Sequence, residues 1–139
     1  MIFIGFTERH RYGGHTDAMD AWLWVCAGVL AVVHLAAGAF KLITPQEKIA
    51  ANANLAWAND FSPHVVKAIA GSEVLGAIGV VIPYATGIAP ALSPLAAAGL
   101  AVLQAGAFGV HVRRNEGKLA GVNIVLIVLA VFVAFEWYG

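Results

Sequence analysis

Seven polar side chains stand out within or at the ends of long apolar segments: His34, Lys41, Lys67, Glu73, Gln104, His111 and Asn123. Glu73 is the most informative of them. It stands in Gly71-Ser72-Glu73-Val74-Leu75-Gly76, near the middle of a long apolar segment. An ionised acid at the centre of a membrane helix costs about 2.5–3.5 kcal/mol to insert. Glu73 is therefore expected to be protonated or to face a partner inside a bundle. Such a carboxyl can handle protons or a ligand; the plainer reading is a hydrogen bond that sets helix register. Lys41 lies two turns after His34, on the same helix face, and His111 lies two turns after Gln104 in the same way. With alternating helix directions, His34, Glu73 and Gln104 fall at one central depth. Lys41, Lys67, His111 and Asn123 fall nearer one surface. Two polar layers at these depths predict a cavity opening toward that surface. Each residue also has a bland role: Lys41 and Lys67 can snorkel to headgroups, and Asn123 can bridge helices. His34 has no His or Cys at i+3 or i+4, so no metal site is read here.

The elements that hold these residues can be derived from composition. Of the 139 residues, 60% are hydrophobic and 12% charged. Mean hydropathy is +0.80. A water-soluble domain of this length needs more charge on its surface, so the bilayer is the expected solvent. Net charge is zero, which gives no reason to expect nucleic acid as a partner. The single Cys26 excludes an internal disulfide and any CxxC motif. Four apolar segments approach the roughly 20 residues that span a hydrocarbon core. They are expected at about 20–43, 63–83, 94–113 and 118–138, within one domain over 17–139. Asp17 or Asp20 can cap the first. Ser62-Pro63 and Ser93-Pro94 place a cap residue before a proline at the starts of the second and third. Trp22, Trp24, Trp137 and Tyr138 suit membrane interfaces. Residues 1–16 read as a tail, with too few apolar residues in Met1–Phe6 for a signal-peptide core. The fold class is all-α: an integral membrane four-helix bundle.

Between the first two spans, Thr44-Pro45-Gln46-Glu47 has the pattern of a capping box. It predicts a short amphipathic helix on the membrane surface, continuing to about Trp57, with Ile49, Ala53, Ala56 and Trp57 on one side. Asp60 and His64 form an i,i+4 pair at the membrane edge. Rows of small residues, Ala68/Ser72/Gly76 and Ala101/Ala105/Gly109, are candidates for close helix contacts. Lys41, Lys48 and Lys67 flank the first loop, and Arg113, Arg114 and Lys118 the third; Arg9 and Arg11 oppose them. The positive-inside rule then predicts cytoplasmic first and third loops and external termini.

Several short motifs resemble the DoxX-like family of small bacterial membrane proteins: Gly38-Ala39-Phe40-Lys41 closing the first span, Asn59-Asp60-Phe61-Ser62-Pro63, Glu73-Val74-Leu75-Gly76, and the Pro- and Gly-rich Pro83 to Pro94. The resemblance covers most of the chain from Trp22 onward. It implies a four-helix fold in the bacterial cytoplasmic (inner) membrane. It also implies a redox link, since some relatives are associated with quinone-dependent oxidation of thiosulfate. Gly38, Lys41, Glu73 and Gly76 are the positions it carries over. The lone Cys26 departs from sulfur chemistry that uses a pair of protein thiols.

Three functional readings are open. The first is a quinone-linked redox subunit, with His34, Lys41, Glu73 and Gln104 supplying hydrogen bonds and a proton route to the quinone head. No flavin, haem or iron–sulfur motif is present, so electrons would come from a redox partner subunit. The second is a carrier or binder of a small hydrophobic or weakly acidic molecule, as a homodimer, since four helices are few for alternating access. The third is a non-catalytic accessory subunit whose Glu73 holds the bundle together.

Overall fold

The computed structural model describes residues 17–138; the expected tail over 1–16 lies outside them. All regular structure among the described residues is helical. Four long helices alternate in direction: α1 (Asp17–Ile43), α3 (Pro63–Thr86), α4 (Leu92–Arg113) and α5 (Gly117–Tyr138). Each is long and apolar enough to cross a membrane. At 1.5 Å per residue even the 22-residue helices reach about 33 Å. Between α1 and α3 lie a short helix, α2 (Gln46–Ala51), and a 3-10 segment over Ala53–Asp60.

Each long helix buries one narrow stripe. On α1 it runs through Leu23, Ala27, Leu30, His34 and Lys41; on α3 through Val66, Ala70, Glu73, Ala77 and Val80. On α5 it runs through Ala120, Asn123, Leu126, Ala130 and Val133. The steps of three and four residues put each stripe on one face. The opposite faces present Val32, Leu75, Val102 and Phe135 outward, the surface a lipid-immersed helix offers. α1 packs chiefly on α3, α4 on both α3 and α5, and α5 closes the ring against α1.

Helix ends depart from expectation in instructive ways. Asp17 is the first residue of α1, and Asp20 lies one turn inside it. Ser62 caps α3 as expected, accepting from Val65 N–H at 3.3 Å. Pro83 does not end α3, which continues to Thr86 and stops at Gly87, a left-handed cap at φ 71°. One lost backbone bond at a proline is tolerable in the last turn, and only Gly87 supplies the conformation that releases the chain. Ser93 does not cap α4. The helix begins earlier, at Leu92, and Ser93 Oγ accepts from Tyr84 N–H at 2.9 Å, tying α4 to the end of α3.

The first connection differs most. Thr44 forms no capping box; Pro45 is the N-cap of α2, and no side chain caps it. The helix then breaks at Asn52 (φ −77°, ψ 124°), whose side chain accepts from Asn54 N–H at 2.9 Å. Asparagine offers the backbone this local alternative to helix. The break rotates the 3-10 segment relative to α2, so Ala53 is exposed and Ala58 is buried. Ile49, Ala58 and Val66 form a small second core flanked by Leu55, Trp57 and Phe61. The small-residue rows hold in part. Gly76 makes a close approach to Leu100 and Ala101 packs against the core, while Ala68, Ser72, Ala105 and Gly109 face outward, and Gly38 and Gly79 make further close approaches outside the rows.

Candidate functional site

A close approach of α1 and α3 positions the charged pair. A Cβ on Gly38 would stand 2.7 Å from Ala70 O and 3.0 Å from Glu73 Cβ, so α1 and α3 meet backbone to backbone there. Lys41 lies one turn beyond. Side chains in a helix lean toward its N-terminus, so Lys41 reaches inward and Glu73 leans toward the first loop. They meet with Nζ 2.5 Å from Glu73 Oε2, both side chains 7% exposed. The two form a buried ion pair across α1 and α3. Lys41 Nζ also lies over the Trp57 ring, 5.5 Å from its centre.

A second set forms a directed chain. The ring of His34, fully buried, donates from Nδ1 to Leu30 O at 2.8 Å. Its Nε2 then accepts from Gln104 Nε2 at 2.8 Å. Gln104 Oε1 accepts from Asn123 Nδ2 at 2.5 Å. Asn123 Oδ1 is buried and unpaired among the described residues. The two depth layers expected from spacing are thus cross-linked: Lys41 joins Glu73, and Asn123 joins Gln104.

Both sets border one cavity of about 460 Å³. Lys41, Glu73, Gln104, Asn123 and His111 supply its polar wall; Trp57, Phe61 and Ile69 supply an apolar one. Val102, largely exposed, and Gly106, with open space where a Cβ would stand, form a rim toward lipid. His34 stands behind Gln104, outside the lining. Lys67 lies elsewhere. Its Nζ donates to the carbonyls of Lys41, Leu42 and Thr44, capping the end of α1. That role is a helix C-cap by a cation.

At the loop end a charged cluster closes over His111. Asn115 takes a left-handed conformation at φ 58°, and Glu116 N–H donates to His111 O at 2.9 Å. This turn folds Glu116 back over its own helix. Glu116 Oε1 sits 3.3 Å from His111 Nδ1 and 2.8 Å from Arg114 Nε. Arg114 Nη1 donates to Asp60 Oδ2 at 2.7 Å, joining the first connection to the third. Asp60 therefore pairs with Arg114, where sequence spacing suggested His64. Burial alone would raise the Glu116 carboxyl; the hydrogen bonds from His111 and Arg114, with their charges, outweigh it and hold it below the ordinary range. The hydrogen bonds to Asp60 and Glu116 raise the Arg114 guanidinium further.

The model of the DoxX-like family matches residues 25–133. The chain belongs to the DoxX-like family. No curated protein and no solved structure matches it. In this DoxX-like protein the four positions carried over from the resemblance lie together. Gly38 and Glu73 touch across α1 and α3, Lys41 pairs with Glu73, and Gly76 receives the Leu100 side chain of α4. Among the described residues, no group of three His, Cys, Asp or Glu could hold a metal. Cys26 is half-buried and packs against the apolar core.

Sequence reasoning missed Glu116 and Arg114 as neighbours of His111, and Trp57 and Phe61 as cavity walls. Asn115, a residue that tolerates the left-handed region, directly after two arginines was the available signal for the first pair. The second depended on the break at Asn52 and had no such signal.

Proposed function

We propose that this DoxX-like protein is a quinone-linked redox subunit of the bacterial inner membrane. In this reading it binds the ring of a quinone-type molecule in the cavity between α3, α4 and the first connection. The observation that carries the reading is the cavity itself. About 460 Å³ is within the range of small-molecule sites. Its walls divide into aromatic and polar faces, as a flat ring with polar edges requires. The rim at Val102 and Gly106 would let an apolar tail lie in the bilayer. Lys41 and Glu73 would exchange charge and protons with the ring oxygens, and His111 and Glu116 would connect them to water. Electrons would come from a partner subunit. Loops one and three would face the cytoplasm, as their Lys and Arg content favours.

A second reading, a homodimeric carrier or binder of a weakly acidic molecule, is favoured by one observation. Lys41 is a buried cation at the cavity wall, and an acidic ligand could take the place of Glu73 beside it. Purification in mild detergent, extraction and mass spectrometry separates the readings. Co-purified isoprenoid quinone, lost in Glu73→Gln, is the expected result. A stoichiometric organic acid instead would support the second reading. Neither ligand, together with no binding of added short-chain quinone, would overturn both and leave an accessory subunit.

A further inference from the structure

The cavity continues beyond its rim. Val102 and Leu103, which border it, also border a groove on the lipid-facing side of the seam between α3 and α4. Leu103 lies seven residues beyond Ala96, at the groove's other end, a run of about 10 Å along the helix axis. Because α4 runs toward the third loop, the groove leads away from the charged end of the bundle. Gly76 shapes its floor. A Cβ there would stand 2.5 Å from Leu100 Cδ2, so the Leu100 side chain lies across α3. One turn on, a Cβ at Gly79 would stand 3.0 Å from Ala96 Cβ. These contacts pack α3 against α4 and give the groove a fixed wall. Gly99, exposed and with open space where a Cβ would stand, leaves its width clear. Leu75 and Val102, each 73% exposed, stand one on each helix at its sides. Ser72 is the one polar side chain of the lining, and its hydroxyl donates back to Ala68 O at 2.9 Å. A hydrocarbon track thus joins a cavity with a polar wall.

We propose that the groove seats the near part of an apolar chain borne by the ring in the cavity. The protein then recognises the chain as well as the ring, and its ligand class is a chain-bearing amphiphile. This rests on the reading above, that a quinone-type ring binds in the cavity. Lipid chains are as apolar as the groove, so hydrophobicity alone does not draw a chain out of the bilayer. Position and packing do. A chain leaving the cavity past Val102 meets the groove at its start. The fixed wall then returns many small dispersion contacts that mobile lipid does not hold in place. A run of about 10 Å takes roughly two isoprene units, and any chain beyond that lies in the bilayer.

The test uses the full chain in phosphatidylcholine nanodiscs. The probes are 2-methyl-1,4-naphthoquinone without a chain and its 3-geranyl derivative, which carries two isoprene units. Affinity is read from the distribution of each compound between protein-loaded and empty nanodiscs, so partition into lipid cancels. Gly99→Leu fills the groove at an exposed helical position and improves helix propensity, so the fold is kept. It should weaken the geranyl compound at least about threefold and leave the chainless ring unchanged. Gly109→Leu, on the same helix but outside both linings, should change neither. Independently of any variant, a geranyl probe with a diazirine on its second isoprene unit should label residues 72–76 and 96–103 of the wild type. Excess unlabelled geranyl compound should suppress that labelling. Labelling that ignores the competitor, or falls on other helix faces, would overturn the groove and leave the ring in place. An unchanged geranyl affinity in Gly99→Leu would do the same. Binding of neither compound by the wild type would overturn the cavity reading and the groove together.

Discussion

Gly38 and Ala70 touch through main chain: a methyl group added at Gly38 would stand 2.7 Å from the Ala70 carbonyl oxygen. The neighbour is backbone and cannot swing aside. Gly38→Ala should therefore push α1 off α3, costing roughly 1–3 kcal/mol, and should part Lys41 from Glu73. Gly28→Ala is the control, because nothing lies within 4 Å of a Cβ there. Thermal unfolding in detergent should show a lower midpoint for Gly38→Ala and an unchanged or higher one for Gly28→Ala. Equal midpoints would refute the contact.

The buried pair should behave asymmetrically under mutation. Glu73→Gln or Lys41→Met alone leaves one buried charge without its counter-ion, a loss of about 3–5 kcal/mol. Lys41→Met combined with Glu73→Leu removes both charges and should recover most of that loss. A double-mutant cycle on unfolding free energies checks this. Additive losses would mean that the two residues act separately.

The cluster at the loop end should be sensitive to acid. Against its burial, the hydrogen bonds and charges of His111 and Arg114 hold the Glu116 carboxyl below its ordinary value. Its contribution is therefore complete above that value and is lost as pH falls through the lower, folded-state value. Because Arg114 links Glu116 to Asp60, the 53–60 segment should loosen over the same interval. Hydrogen-exchange protection of that segment, taken relative to the intrinsic rate at each pH, should fall as pH drops below the ordinary carboxylate range in the wild type. In Arg114→Ala the protection should be low at every pH. A wild-type profile unchanged by Arg114→Ala would remove the cluster from any role in closing the cavity.

Orientation is open to direct labelling. Single cysteines at Ser62 and Asn115, in a Cys26→Ala background, should resist a membrane-impermeant thiol reagent in intact cells and react after permeabilisation. Reaction at both sites in intact cells would reverse the proposed topology.

The bundle was legible because lipid imposes simple demands: length, apolar content and few charges identify a spanning helix whatever its neighbours are. Depth was legible too, since residue number along a helix converts to height. Rotation and lean were not. Lys41 and Glu73 were assigned to different layers because their Cα atoms sit at different heights, yet long side chains leaning in opposite directions close that gap. Lys67 shared a depth with His111 but lies on a different face, where it caps α1. The first connection failed for a local reason. Thr44-Pro45-Gln46-Glu47 matches a helix-start pattern, but Asn52 can hydrogen-bond its own neighbourhood, and spacing alone does not reveal which conformation wins.

At the end of the bundle far from the cavity, Tyr84 stacks on Trp137 with ring centres 4.1 Å apart and an interplanar angle of 7°, and Trp24 meets both rings edge-on. These rings belong to α3, α5 and α1, so three of the four helices are riveted at one point. The other end of the bundle is tied by charge, through Lys41–Glu73 and Arg114–Asp60. The two ends are thus fastened by different forces, ring packing at one and ion pairs at the other, so salt and pH act on the polar end and leave the aromatic one untouched.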